Sequence, residues 1–91
     1  MASMFGHFEV GDYEAWKQGF DSDPAGRAQA AQAHSLFRSV DNPSEVFVAV
    51  QFSSTEEAQS FRERLLASGA LDRVAIKTEP TVVEEVETVE Y

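Results

Sequence analysis

Residues 10–27, with the sequence VGDYEAWKQGFDSDPAGR, decide the fold because they predict an amphipathic helix. Asp12 is a good N-cap, since its carboxylate can accept hydrogen bonds from the first free N–H groups of a helix. The aromatic residues that follow are spaced by three and four positions, which places their rings on one helical face. These residues are Tyr13, Trp16 and Phe20. Such a face must bury against another element, so we expect the three rings to form core beneath the helix.

The same stretch predicts a break followed by a second helical segment. Asp23 can cap a new helix, and Pro24 suits its first position because proline already has helical φ and lacks the N–H that would be left free there. The alanine-rich residues 25–33 then have high helix propensity. We therefore expect one broken helix. A strand is predicted before it at residues 4–10, where large side chains fall on both faces.

An antiparallel hairpin is predicted after the broken helix. Residues 34–40 and 45–52 are expected to be its strands, and the polar residues 41–44 its turn. In the second of these strands Val46, Val48, Val50 and Phe52 alternate with Phe47, Ala49 and Gln51. Since alternate residues of a strand point to opposite faces, the first set is expected under the helices and the second on the other face.

A second long helix and a last strand complete the predicted fold. Ser54 and Glu57 form a capping box, and Gly69 is placed to end the helix that they begin. After this helix, residues 74–78 and 81–89 are both rich in strand-forming side chains. A proline separates them, so the fourth strand is expected to be the first, the second, or both with a break.

The order strand, helix, strand, strand, helix, strand predicts a ferredoxin-like α+β fold over residues 1–91, with both main helices on one face of an antiparallel sheet. An acidic extended segment is expected at about residues 79–91, since no Lys or Arg follows Lys77. The other sheet face would carry Phe5 and Phe47, and such an apolar surface is rarely left in water. We therefore expect a homodimer that pairs through this face into an α/β barrel.

Composition excludes several classes of function. The chain has 91 residues, a net charge of −9 and no cysteine, so disulfides and thiolate metal sites are absent. The charge repels nucleic acid and anionic lipid. Mean hydropathy is −0.30, and no apolar run is long enough for a membrane span. We expect a cytoplasmic protein, because the first residues lack the pattern of a signal peptide.

Three runs resemble the small dimeric α/β-barrel proteins of the antibiotic biosynthesis monooxygenase-like and cyclase-like superfamily. They are FEVGDYEAWKQGFDSDPAGR, FRSVDNPSEVFVAVQF and PTVVEEVE, at residues 8–27, 37–52 and 80–87. The superfamily includes cofactor-free oxygenases of aromatic polyketides, cyclases, haem-degrading enzymes and many proteins of no assigned activity. The Asn, Trp and His that surround haem in the haem-degrading members have no matching set here. The resemblance therefore implies a dimeric barrel without a cofactor.

Few residues are candidates for chemistry. His7 and His34 are the only imidazoles, and imidazole is the most available general acid or base near neutral pH. Arg38 can neutralise an enolate or carboxylate in a cavity, although an ion pair with a carboxylate is the alternative. Phe5, Phe47 and Gln51 are the candidate ligand-binding residues, because they fall on the open sheet face with His7. No metal site is expected, since the sequence pairs neither histidine with a carboxylate cluster.

Two functions of different class remain open. In the first, the dimer encloses an apolar cavity that binds an aromatic or polyketide-like compound, and one histidine with Arg38 or Gln51 promotes proton abstraction, followed by cyclisation or by a cofactor-free reaction with oxygen. In the second, it is a non-catalytic dimer that binds a ligand or another protein, and Phe5 and Phe47 fill its interior. A cavity with room for a small molecule would favour the first function over a packed interior.

Overall fold

Four strands and three helices make up the protein, of which the computed structural model describes residues 2–72 and 74–91. The strands are β1 (Ala2–Glu9), β2 (Ala33–Arg38), β3 (Glu45–Phe52) and β4 (Ala75–Glu84), and the helices are α1 (Tyr13–Asp21), α2 (Arg27–Ala30) and α3 (Thr55–Ala67). One antiparallel sheet contains all four strands in the order β2-β3-β1-β4. The predicted ferredoxin-like α+β fold is confirmed.

The core lies between the helices and one face of the sheet. Burial alternates along β1 and β3, so every second residue points into the protein. The core consists of Ala2, Met4, Phe8, Val46, Val48, Val50, Phe52, Ala58 and Phe61. Burial of each large apolar side chain stabilises the fold by about 1.5 to 3 kcal/mol relative to its exposure. The predicted assignment of the β3 side chains to two faces is confirmed.

Asp12 and Asp23 determine where the two short helices begin. The Asp12 carboxylate accepts hydrogen bonds from the first N–H groups of α1, as predicted. Asp23 adopts a left-handed φ of 57°, which breaks the helix, and its carboxylate accepts from the N–H groups of Arg27 and Ala28. These bonds start α2 at Arg27. The prediction of a helix over residues 25–33 is wrong in extent, because Asp23 caps the later N–H groups.

Helix α3 has the predicted boundaries and is the longest of the described helices. Ser54 accepts a hydrogen bond from the Glu57 N–H group and acts as the N-cap. The Glu57 carboxylate accepts from the hydroxyl of Ser53, so the reciprocal bond of a capping box is replaced by a side-chain bond. Gly69 follows the helix with a φ of 77°. No helix among the described residues combines the length and apolar character needed to span a membrane.

The last strand, β4, runs continuously through Pro80. The register of β4 against β1 shifts here, so that Glu79 and Pro80 lie opposite Gly6 alone. Proline fits this bulge because the bulged residue does not need to donate a hydrogen bond to the neighbouring strand. Residues 75–78 and 81–84, from the two predicted segments, therefore belong to one strand, and the break between the segments is this bulge. Residues 85–91 lie in no helix or strand, so only the end of the predicted acidic segment lies outside the sheet.

Candidate functional site

A cavity of about 430 Å³ lies between the helices and the sheet. Its floor is formed by side chains of β1 and β3. Its walls are formed largely by α1, by α3 and by the segments that follow these two helices. The floor comprises Met4, Gly6, Phe8, Val48 and Val50, and the walls include Ala15, Trp16, Gly19, Phe20, Phe61 and Leu65. Apolar groups form most of this lining. The volume falls within the range of about 300 to 1,000 Å³ that is usual for small-molecule sites.

The cavity exists because α1 covers the sheet loosely. None of its residues is buried, whereas α3 buries Ala58 and Phe61. Trp16 and Phe20 pack against the core cluster as predicted, and their rings lie 5.1 Å apart at their centroids. Both also line the cavity, which their spacing in the sequence did not indicate. Aromatic spacing identifies a helical face but not its distance from the sheet.

Arg27 lies at the cavity and was not a candidate in the sequence. Its side chain is only 13% exposed, and its guanidinium carbon lies 3.7 Å from the centroid of the Phe20 ring. Nη1 donates a hydrogen bond of 3.3 Å to the Phe20 carbonyl oxygen. The nearest carboxylate oxygen, on Asp23, is 3.9 Å away. The Asp23 pKa is lowered, first by the hydrogen bond from the Ala28 N–H group and further by the Arg27 charge.

His34 lies beside the cavity wall and does not line the cavity. Its ring makes an edge contact with Phe20 at a centroid distance of 5.2 Å. Partial desolvation lowers the His34 pKa, and the positive charges of Arg27 and Lys17 lower it further. The imidazole is therefore neutral near pH 7, the form that can accept a proton. No finding tests the predicted catalytic role of His34, which stays a prediction.

Arg38 is held away from the cavity by an aromatic contact. Its guanidinium carbon lies 4.9 Å from the centroid of the Tyr13 ring. Arg38 does not line the cavity, and no carboxylate in the described part of the chain lies within ion-pair distance of it. The geometry is that of a cation–π pair at the surface. A role for Arg38 in catalysis stays a prediction.

The sheet face that points away from the helices carries the other predicted residues. Phe5 and Phe47 are 49% and 39% exposed, and Gln51 lies on the same face near the end of β3. Phe37 is 57% exposed and stands opposite Phe47 in the register of β2 and β3. Polar and apolar residues do not alternate clearly along β2, so the sequence does not indicate which face carries Phe37. We call the face defined by Phe5, Phe37, Phe47 and Gln51 the open face.

His7 and Glu45 form a hydrogen-bonded pair on the open face. His7 Nε2 lies 2.8 Å from Glu45 Oε1, and the other carboxylate oxygen accepts a bond of 3.1 Å from the Asn42 side-chain amide. The His7 ring stacks on Phe47 with their centroids 4.0 Å apart. The sequence analysis did not predict Glu45 as the partner of His7. The pairing depends on strand register, which the sequence did not reveal.

The two groups of candidate residues occupy opposite faces of the sheet. The cavity side holds Trp16, Phe20 and Arg27, while His7 and Glu45 lie on the open face. Among the described residues, no cluster of three or more His, Asp or Glu side chains is placed to hold a metal ion. The apolar cavity and the His7–Glu45 pair are therefore on opposite sides of the sheet, and this cavity is not the one predicted inside a dimer at the open face.

Comparison with known proteins places this arrangement in a class of folds. No protein-family model matches the sequence, and no curated protein matches it. A candidate antibiotic biosynthesis monooxygenase from Nitrosomonas europaea is 11% identical, with a TM-score of 0.68 over 96% of this chain and 100% of that one. Another, from Deinococcus radiodurans, is 12% identical, with a TM-score of 0.69 over 100% and 98%.

The chain thus has the small ferredoxin-like fold of the antibiotic biosynthesis monooxygenase-like proteins. A particular protein with this fold is SnoaB from Streptomyces nogalater, a cofactor-independent oxygenase. It is 15% identical, with a TM-score of 0.71 over 99% of this chain and 97% of that one. At these identities the likeness establishes the fold, and the superfamily resemblance seen in the sequence is confirmed at that level.

Proposed function

We propose that this protein binds a small aromatic or polyketide-like compound in the cavity between its helices and sheet. The cavity itself carries the proposal: it has a volume of about 430 Å³ and a mostly apolar lining that includes Trp16 and Phe20. Aromatic side chains offer flat apolar surface to a planar ligand, and such contacts contribute about 0.5 to 1.5 kcal/mol beyond the burial of area. A ligand of this kind would contact Met4, Phe8 and Val50 on the cavity floor.

We further propose that the bound compound is oxygenated without a cofactor, as the shared fold with the oxygenase SnoaB suggests. A suitable substrate has a ring methylene that neighbouring carbonyl or phenol groups make acidic. The methylene loses a proton to a base from the solvent, and the resulting carbanion passes electrons to dioxygen. In the overall step CH₂ becomes C=O, one oxygen atom enters the product and the other leaves as water. The methylene carbon loses four electrons and dioxygen gains four.

A second candidate function is binding without turnover. One observation favours it: no His, Asp or Glu is among the described residues that line the cavity. A general base normally lies within hydrogen-bond reach of the proton that it removes, or one water away. The two candidate functions share the same ligand site and differ only in whether dioxygen is consumed.

Fluorescence of Trp16 provides a direct binding assay, because it is the only tryptophan of the chain. Titration of the protein with 1,8-dihydroxyanthrone in the absence of oxygen should quench this fluorescence and saturate. Gly19→Leu should weaken binding at least about tenfold, equal to 1.4 kcal/mol, because its side chain would fill the cavity. A Cβ at Gly19 would meet no atom within 4 Å, so the larger residue has space in the unliganded protein.

Gln18→Leu is the matched control, since Gln18 is exposed on the same helix and does not line the cavity. Equal affinity of the two variants for the anthrone would exclude the cavity as the ligand site. An oxygen electrode then separates the two functions. Consumption of one dioxygen per anthraquinone formed, above the spontaneous rate and lost in Gly19→Leu, supports the oxygenase. Saturable binding without such consumption supports the non-catalytic function.

We also propose that the protein is a homodimer that pairs through the open face. Phe37 and Phe5 are about half exposed there, and Phe47 lies between them on the central strand β3. Covering these rings with a second copy would remove an apolar patch from water, which is the main favourable term in association. A two-fold arrangement would also bring the His7–Glu45 pairs of both copies into the interface.

A further inference from the structure

Arg27 is the sole charged side chain among the described residues that line the cavity. The other polar side chains of the lining are the hydroxyls of Ser22 and Ser68 and the indole of Trp16. The chain as a whole has 16 acidic residues and only 7 Lys and Arg. The charged residue of this lining is therefore positive, although the protein as a whole is strongly negative.

The Arg27 guanidinium is sheltered from water, and its ion pair with Asp23 is long. Its side chain is 13% exposed, and the distance of 3.9 Å to Asp23 Oδ1 is too long for a hydrogen bond. The Asp23 carboxylate instead accepts the backbone N–H groups of Arg27 and Ala28, at 2.5 and 2.9 Å. Asp23 thus holds the start of α2, and the guanidinium keeps most of its hydrogen-bonding capacity.

Stacking on Phe20 leaves the edge of the guanidinium available. The ring covers one face of the group, with the Arg27 Cζ atom 3.7 Å from the Phe20 centroid. A guanidinium has five N–H donors, and in the described part of the protein one of its hydrogen bonds is formed, to the Phe20 carbonyl oxygen. Planar oxygen anions match the remaining donors, and such charge-assisted bonds are strong away from water.

We propose that Arg27 binds an anionic oxygen of the cavity ligand, so that the ligand is an aromatic compound with a carboxylate, phenolate or enolate. This inference rests on the proposed function, because it requires that the cavity is the ligand site. The anion would form the close, hydrogen-bonded ion pair that Asp23, at 3.9 Å, does not form, while the aromatic part of the ligand contacts Trp16 and the apolar floor. A neutral aromatic of the same shape would leave the guanidinium with only its long contact to Asp23.

Calorimetric titration with 2-naphthoate and 2-naphthamide at pH 7.5 tests the inference, since the two probes share their ring system and differ in charge. The wild-type protein should bind the naphthoate at least about tenfold more tightly. Arg27→Gln should reduce this preference to about twofold or less, because it removes the charge and leaves affinity for the amide nearly unchanged. Arg27→Lys, which keeps a point charge, should retain an intermediate preference.

Arg64→Gln is the control, because Arg64 is an exposed arginine on α3 that does not line the cavity. It should leave both affinities unchanged. Equal affinity of the wild type for the two probes would overturn the role of Arg27 while leaving cavity binding in place. Failure of both probes to bind would count against the proposed function and this inference together. If Arg27→Gln does not fold, the wild-type comparison alone decides.

Discussion

His7 and Glu45 are hydrogen-bonded across two strands although they are not partners in the register. His7 stands opposite Phe47 in the pairing of β1 and β3, and Glu45 stands opposite Glu9. Their side chains meet diagonally on the open face, with 2.8 Å between His7 Nε2 and Glu45 Oε1. The imidazole thus lies beside one member of a pair of facing carboxylates, Glu9 and Glu45.

Replacement of His7 tests whether this pair supports the fold or the ligand site. His7→Leu should lower the free energy of unfolding by about 1 to 2 kcal/mol, because it removes the bond to Glu45 and the stack on Phe47. Urea denaturation followed by circular dichroism would measure this loss. Affinity for 1,8-dihydroxyanthrone should be unchanged, since His7 lies across the sheet from the cavity. A fall in turnover without a fall in stability would instead support the predicted catalytic role of His7.

Replacement of Phe37 tests the proposed dimer. Light scattering of the wild-type protein should give about twice the chain mass of 10.1 kDa. Phe37→Glu should yield the monomer, because a carboxylate on the open face would be buried without a partner. Val40→Glu is the control, since Val40 is 96% exposed and lies beyond the end of β2. A monomeric wild type at micromolar concentration would refute the dimer.

The stability of the protein should fall on mild acidification because of His34. Its pKa is lowered in the folded protein by desolvation and by Arg27 and Lys17, although Asp21 and Asp23 oppose the shift. The unfolded chain therefore takes up the proton first, at about pH 6.5, and stability declines from there down to the folded pKa. Above that window the imidazole is neutral in both the folded and the unfolded chain, so His34 does not make the stability depend on pH.

The measurement is the difference in unfolding free energy between the wild type and His34→Gln at pH 8 and pH 5.5. The wild type should lose more stability than the variant between these two values. The lowered pKa of Asp23 acts in a separate window, since its contribution is present above about pH 3.8 and is lost only below it. Parallel profiles of the two proteins would rule out the effect of His34.

Arg62 should stabilise the bulge in β4. Its Nε atom donates a hydrogen bond of 2.6 Å to the Pro80 carbonyl oxygen and so joins α3 to the strand. Arg62→Met should cost about 1.5 to 3 kcal/mol of unfolding free energy, the usual contribution of a bond from a charged group. Arg64→Met, whose Nε lies 3.4 Å from the Ala25 oxygen at the surface, should cost much less. Equal losses in urea denaturation would contradict this assignment.

The sequence was sufficient to predict the sheet, because the alternation of side chains along a strand and the residues of a turn are local features that can be read from neighbouring positions. The bounds of β3 are those expected, and the face assignments of β1 and β3 hold. Local signals did not resolve the fourth strand, since Pro80 is tolerated only through a bulge opposite Gly6. That bulge depends on the pairing of β4 with β1, which no nearby residue determines.

The candidate site depended on distances between elements and was therefore harder to predict. Trp16 and Phe20 were placed on the correct helical face, but nothing in their spacing indicated a gap beneath them. Arg27 was missed because its position follows from the left-handed turn at Asp23, which moves the start of α2. Glu45 was missed as the partner of His7 because the contact is diagonal across the strand register.

The loose attachment of α1 would link ligand exchange at the proposed site to local unfolding. Helices α1 and α2 contribute no buried residue, so they can separate from the sheet at much lower cost than α3, which is anchored by Ala58 and Phe61. The same movement would open the cavity. A compound bound against Trp16 would hold this part of the protein closed and slow amide hydrogen exchange in α1 selectively. The first helix would then both line the cavity and control access to it.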